Sequence, residues 1–339
     1  MDNSDPKNVL GSTEMLASQC SYIWDLSKTI EFPANFRSLE NITICGMGGS
    51  RYGAYVVESL YNDILKVPFL GYGDYHLPAF INKKSLFIFS SYSGTTEEPL
   101  ASAKEAIEKG CPIIGISSGG KVGEMSKTYN FPALIFNQEF NPSTQPRLGT
   151  GYMVLGTIAI LTRLGYLQVS DEEVKVAIEE LKSAQEEIKN KAEEMSKKLQ
   201  GYIPVIFASQ HLVGNAHIMR NQFNETSKSF SAFEDVPELN HHLMEGLKNP
   251  SGRKLTAIFI MSDFYEDKHK KRMLLTEDVV SKNRIPFLEY KPIGSSKLSQ
   301  VLNVLSFGSY LTLYLAFLYG QDPSLIPWVD YFKEQLAKP

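Results

Sequence analysis

Cysteine is scarce in this chain. Cys20, Cys45 and Cys111 are an odd number with no C-x-x-C spacing, which argues against a disulfide framework and against a cysteine zinc site. An excess of basic residues is also missing. Lys and Arg number 34 against 38 Asp and Glu, a net charge of -4 with a pI near 5.9. That balance excludes a nucleic-acid coat and a polybasic membrane surface, so neither partner is expected. No apolar run approaches the roughly 18 residues of a membrane span, and the opening MDNSDPKNVLGS has no apolar core of a signal peptide. What remains is a soluble, cytoplasmic α/β protein. Its 339 residues, 43% of them hydrophobic, suffice for two domains with filled cores.

Strand-like and helix-like stretches alternate. The run Ile42–Cys45 leads into GMGGSRYGAY, and Leu86–Phe89 leads into SSYSGTTEEP. Helical spacing follows over 100–107, then strands at 111–116 and 134–136. This order implies a parallel sheet with helices on both faces. Ser170-Asp-Glu-Glu173 is a capping box, opening a Glu/Lys-rich segment to about Leu199 that reads as one long amphipathic helix with a solvated face. The pattern then restarts with Ile203–Phe207, a polar loop, a helix around 216–222, and Leu255–Ile260. A duplicated α/β domain is expected, with unequal copies: the second lacks GMGGS and has Met261-Ser-Asp-Phe-Tyr in place of the serine-rich loop. The expected divisions are a helical segment 1–37, a first domain 38–168, a linking helix 169–200, and a second domain with a C-terminal helix over 201–339. His211 and His217 near the second polar loop receive no role, and the charged stretch 265–272 reads as a surface insertion.

The glycines at 46, 48, 49 and 53 do not fit the G-x-G-x-x-G dinucleotide register, and the G-K-[ST] of a Walker loop is absent. Ser91-Tyr-Ser-Gly-Thr-Thr96 offers four hydroxyls between a strand and a helix. For this loop alone, a serine-rich turn that caps a helix is an equal alternative. Beside GMGGS, its hydroxyls and free helix N–H groups suit a phosphate monoester, with backbone amides and the helix dipole supplying the charge complementarity. Gly48, Gly49, Ser50, Ser91, Ser93 and Thr96 are the candidate phosphate ligands.

G-M-G-G-S followed by S-Y-S-G-x-T resembles the pattern of sugar isomerase (SIS) domains. Over nearly the whole chain, the arrangement resembles the bifunctional phosphoglucose/phosphomannose isomerases of the phosphoglucose isomerase superfamily. The resemblance is strongest in Asn224-Glu225-Thr-Ser-Lys228 and Pro237-Glu-Leu-Asn-His-His242. It implies two SIS domains, each a three-layer α/β/α unit. It also implies that Glu225 is the base and that His241, contributed across a homodimer interface, opens the sugar ring. Arg147 in Gln145-Pro-Arg-Leu-Gly-Thr-Gly151 would stabilise negative charge, and Lys333 matches a lysine near the family's C-terminus.

Aldose–ketose isomerisation makes these residue types intelligible. A histidine can move a proton between ring oxygen and hydroxyl. A partly desolvated carboxylate can take the weakly acidic proton next to the carbonyl and return it to the neighbouring carbon. An arginine, always charged, can stabilise the cis-enediolate. No metal or cofactor is implied. A His241–His242 metal pair is disfavoured because adjacent side chains on an extended chain point apart. The chain departs from the family pattern at Thr95, where Asn is usual, at Pro99, where Thr is usual, and at Arg51-Tyr52, where small residues are common. Proline is tolerated in the first turn of a helix. Arg51 either adds a contact to phosphate or points outward. The rivals are an isomerase of another phosphosugar and an SIS-type regulatory protein that binds sugar phosphate without turnover; the latter would not need Glu225, His241 and Arg147 together.

Overall fold

In the computed structural model, which describes residues 4–336 and Lys338, two parallel sheets stand on one continuous core. Helices α1 (Val9–Glu14) and α2 (Leu16–Ser27) precede β1 (Asn41–Cys45). There follow α3 (Tyr52–Leu60), β2 (Phe69–Tyr72), β3 (Ser85–Ser90), α4 (Glu97–Glu108), β4 (Ile113–Ser117), α5 (Gly120–Tyr129), β5 (Ala133–Ile135) and α6 (Thr150–Arg163). The first sheet has the order β2-β1-β3-β4-β5, every pair parallel. Its central strands are apolar throughout because both faces are covered. Alternation sends Ile42, Ile44, Leu86 and Ile88 into the main core, while Cys45, Phe87 and Phe89 fill a second cluster together with Ala103 of α4 and Val122 of α5.

Between the halves lie α7 (Asp171–Ser183) and α8 (Gln185–Leu199). The single linking helix expected over 169–200 is thus two helices, interrupted at Ala184. The capping box forms as read: Ser170 Oγ accepts from the Glu173 N–H at 3.1 Å. The second half comprises β6 (Ile203–Ser209), α9 (Val213–Glu225), β7 (Ala232–Val236), α10 (Leu243–Gly246), β8 (Leu255–Ile260), α11 (Asp267–Lys282), β9 (Phe287–Tyr290), α12 (Lys297–Leu318) and α13 (Pro327–Leu336). Its sheet order, β7-β6-β8-β9, repeats the order β2-β1-β3-β4 of the first sheet without a fifth strand. The stretch 265–272 is not an insertion. Tyr265 is buried, its hydroxyl accepting from the Ser209 N–H at 3.1 Å and donating to the Ile260 carbonyl at 3.0 Å, and Arg272 lies within the crossover helix α11.

Helix α12 is long and apolar enough to cross a membrane by length and composition, more so than the sequence suggested, yet nearly all of it is buried inside the protein. It packs against α7, α8 and α9 and joins the two halves into one core. Helix α3 is the other joint, lying between α6 and α9.

Candidate functional site

In a doubly wound sheet the crevice opens where successive crossovers leave in opposite directions. In the first sheet that point lies between β1 and β3, and the two polar loops follow these two strands. Gly48, with φ near +50°, starts a 3-10 turn over Gly48–Arg51 that runs directly into α3. Ser50 ties the loops together: its hydroxyl accepts from the Tyr92 N–H at 2.8 Å, and its carbonyl accepts from Ser90 Oγ at 2.6 Å. Ser91 and Thr96 pair through their hydroxyls at 3.1 Å, as do Ser93 and Thr95 at 3.0 Å. Thr96 is the N-cap residue of α4, but its side chain does not cap the helix. The first-turn N–H groups of α4 therefore keep their capacity for an anion. Pro99 sits inside the first turn and the helix forms, as expected.

Arg147 lies in a 3-10 turn, Pro146–Leu148, that leads into α6. It meets the glycine loop closely: a Cβ on Gly49 would stand 2.7 Å from the Pro146 carbonyl carbon. The guanidinium is buried and heavily committed. Nε donates to Thr226 Oγ1 (3.3 Å), Nη1 to Gln145 Oε1 (3.0 Å), and Nη2 to the carbonyls of Pro323 (2.6 Å) and Ser324 (3.1 Å). A guanidinium has five N–H bonds. One Nη1 hydrogen is therefore uncommitted, and Glu225 Oε2 lies 3.8 Å from that nitrogen.

Glu225 is the last residue of α9. Burial raises its carboxyl above the ordinary value, and the charges of Arg147, Lys333 and Lys228 oppose that shift. Lys333, on α13, is therefore within electrostatic reach of Glu225. Lys228 is pushed down to about 8 by burial and by Arg147. Its backbone is left-handed, with φ near +54°, and Nζ donates to the carbonyls of Thr226 (3.0 Å) and Asp322 (2.5 Å). Glu225 and Lys228 line an open cleft of about 910 Å³ whose far wall is Leu325–Val329.

Helix packing explains how residues so distant in sequence converge. Tyr52 opens α3 and feels the charge of Glu225 at the end of α9. At the other end of the contact, a Cβ on Gly214 in the first turn of α9 would stand 2.2 Å from the Tyr55 carbonyl oxygen. The two helices are antiparallel, so the start of α3, with its glycine loop, lies beside the end of α9, with its carboxylate.

His241 is not part of this gathering within one chain. It ends a 3-10 turn, Glu238–His241, beside β7; its side chain is exposed, and it does not line the cleft that holds Glu225. Its neighbours anchor the turn. Leu239 is buried, and Asn240 donates to Thr276 Oγ1 at 2.9 Å and accepts from Arg272 Nη1 at 3.2 Å, both on α11. Arg51 turns away from the serine loop. It donates to the Gly71 carbonyl of β2 and lies over the Tyr55 ring at 5.1 Å.

Sequence reasoning missed the residues that hold Arg147. Gln145 and Thr226 each sit beside a motif residue that was singled out. The Asp322-Pro-Ser324 turn carried a signal in its composition: Asp322 Oδ1 accepts from both the N–H (2.7 Å) and the hydroxyl (2.6 Å) of Ser324, folding the turn that presents two carbonyls to the arginine.

Residues 188–336 match the family described as bacterial phospho-glucose isomerase C-terminal SIS domain. A bifunctional phosphoglucose/phosphomannose isomerase from Caldicellulosiruptor bescii is 30% identical over 340 residues, covering 95% of this chain and 97% of its own. The chain belongs to the bifunctional phosphoglucose/phosphomannose isomerase family. A second member, from Aquifex aeolicus, is 32% identical over 302 residues, covering 88% of this chain and 91% of its own. Among solved structures, a putative phosphosugar isomerase from Clostridium difficile 630 superposes with a TM-score of 0.74 at 15% identity, covering 98% and 99% of the two chains. At that identity the likeness speaks for the SIS fold alone. For this family member the match to the C-terminal domain spans Glu225, His241 and Lys333, while the glycine loop, the serine loop and Arg147 belong to the other half.

Proposed function

We infer that this family member is an isomerase converting glucose 6-phosphate and mannose 6-phosphate to fructose 6-phosphate through a cis-enediolate. Gly48, Gly49, Ser50, Ser91, Ser93 and Thr96, with the first turn of α4, hold the phosphate. Glu225 removes the proton from C2 of the open-chain aldose and returns it to C1. The O2 hydroxyl proton passes to O1 in the same exchange, so electrons and protons balance within the sugar: C2 is oxidised, C1 is reduced and no external redox partner is consumed. Negative charge on the enediolate oxygens is met by the uncommitted Nη1 hydrogen of Arg147 and by the ammonium of Lys333. Ring opening falls to His241 of a second copy, since the exposed histidine and the cleft lie apart within one chain; the working form is then a homodimer, in the cytoplasm.

The observation that carries this reading is the antiparallel packing of α3 and α9. It sets a phosphate-type loop, a buried arginine and a carboxylate of raised pKa side by side. The test is formation of fructose 6-phosphate from each sugar separately, with chelator present and Glu225→Gln as control. Turnover of both sugars, lost in the variant, supports the assignment. Turnover of one sugar alone narrows the substrate and keeps the mechanism. Absence of turnover with both, despite stabilisation against heat, would overturn the enzyme in favour of a binding protein.

A further inference from the structure

Five side chains from both halves form a continuous stack on the flank of the α3–α9 contact. The Arg51 guanidinium lies over the Tyr55 ring at 5.1 Å. Tyr55 stacks on His217 of α9 with centroids 3.7 Å apart and planes inclined by 21°. His217 stacks in turn on Phe233 of β7 at 4.5 Å and 24°, and Arg220 covers Phe233 at 5.5 Å. The stack is closed by a hydrogen bond of 2.6 Å between Arg220 Nη2 and His217 Nε2. Since a guanidinium can only donate, Nε2 is the acceptor and the imidazole is neutral. On the other end, Arg51 is tied to the Gly71 carbonyl of β2.

The position of this stack gives it a meaning beyond packing. Arg51 is the residue after Ser50, and Tyr55 is one turn further along α3. His217 is eight residues before Glu225, about 12 Å along the helix axis. The Gly214 approach fixes how close the two helices come, but a backbone resting on a glycine can still slide. Next to the stack the junction is open, with a cavity of about 360 Å³ between α3, the start of α9 and β7. Besides the single hydrogen bond from Ser59 Oγ to the His211 carbonyl at 3.3 Å, the interlocked rings are the side-chain contact that resists sliding on this flank. Sliding by a single ångström alters the distance from phosphate loop to carboxylate, a misplacement sufficient to cost about a hundredfold in rate.

We propose that the Arg51–Tyr55–His217–Phe233–Arg220 stack is a clasp that sets the spacing between the phosphate loop and Glu225, making Tyr55 and His217 positioning residues for isomerisation. The proposal rests on the isomerase reading for the catalytic part of its test. It also has a binding part, which takes the phosphate-loop assignment from that reading but does not need turnover. Inorganic phosphate occupies only the loop end of the site. Arabinonate 5-phosphate spans it, its phosphate in the loop and its carboxylate standing where the enediolate oxygens would be.

The experiment measures affinity for both ligands, thermal stability, and kcat and KM with glucose 6-phosphate, for wild type, His217→Ala, His217→Phe and Tyr55→Leu. In His217→Ala, phosphate affinity is expected to stay within about twofold, while arabinonate 5-phosphate weakens at least tenfold, about 1.4 kcal/mol. kcat is expected to fall at least tenfold. His217→Phe keeps a flat ring between Tyr55 and Phe233 and is expected to regain both within about threefold. Tyr55→Leu, similar in bulk but unable to stack, repeats the His217→Ala pattern and serves if the alanine variant does not fold. Equal weakening of both ligands, or unchanged affinity for the spanning one in a folded variant, overturns the clasp. If wild type shows no turnover but the split in affinity holds, the clasp stands and the isomerase reading falls.

Discussion

The two sheets share a strand order, and the crevices at their switch points have had opposite fates. In the first half the loops after β1 and β3 bring glycines, hydroxyls and uncapped helix N–H groups together. In the second half the corresponding place is filled from within. Gln300 of α12 is buried there, its Oε1 accepting from Ser262 Oγ and from His211 Nε2 at 3.2 Å, and Tyr265 packs edge-on against His211. Gln210 Oε1 takes the Glu266 N–H at 2.8 Å, spending the remaining loop polarity on the chain itself. On the proposed reading, the duplicated unit supplies one phosphate site. The second copy contributes instead the far end of its first helix, where Glu225 lies. A repeat can be reused by exploiting opposite ends of equivalent helices, the start of α3 and the end of α9.

Exchanging losses between the halves is the strongest way to test this contrast. Glu225→Gln is expected to lower kcat by about a thousandfold, in the range for loss of a general base, with folding unchanged, as steady-state assay and circular dichroism would show. Gly49→Ala comes next. The new methyl meets the Pro146 backbone at 2.7 Å, so the loop and the Arg147 turn must separate, and kcat/KM should drop about a hundredfold. Gln300→Ala, in the filled crevice, should behave in the opposite manner. It strands His211 Nε2 without a partner, removes the acceptor of the Ser262 hydroxyl and leaves a void, costing about 3 kcal/mol in denaturant unfolding while KM stays within twofold.

A graded effect lies in pH. His211 and His217 are held neutral by burial, at about 4 and about 3, against an ordinary value of 6.5. A depressed pKa in the folded state means that stability is intact above pH 6.5 and is lost as pH falls below it. Each ring contributes up to about 1.4 kcal/mol per pH unit between 6.5 and 4. Denaturant midpoints that stay level across this window would contradict the assignment. The smallest effect is expected at Glu277, on the outer layer of the second sheet, where burial and Glu289 push the carboxyl up to about 7. That raised value means stability lost as pH climbs from 4.5 through 7. Glu277→Gln should therefore gain on the order of 1 kcal/mol at pH 8 and little at pH 5.

Much of the first half was legible because its signals are local. Apolar runs such as Ile42–Cys45 and Leu86–Phe89 read as strands covered on both faces, and the glycines and hydroxyls after them gain their meaning as a pair. The order of the repeat was readable for the same reason. The break at Ala184 was not, because a helix interrupted by alanine has no compositional mark. Tyr265–Arg272 misled because charge on the exposed face of a helix resembles charge in a loop when the one buried anchor, Tyr265, stands at its edge. The holders of Arg147 were hidden by distance: Pro323 and Ser324 act through carbonyls, which every residue possesses. The direction of Arg51 depended on Gly71 and Tyr55, and no spacing rule connects those positions.

Helix α12 joins both halves, and it is made after every strand of both sheets. During synthesis the chain carries all strands of both sheets, but not the helix that joins the halves, until residues 297–318 emerge. Over that interval the inner faces of α8 and α9 have no cover, which makes the nascent chain vulnerable to self-association. A truncation before Lys297 would leave every phosphate-loop residue and Glu225 in the polypeptide and still yield no native protein. Slowing translation across residues 297–318 should lower soluble yield far more than slowing it earlier.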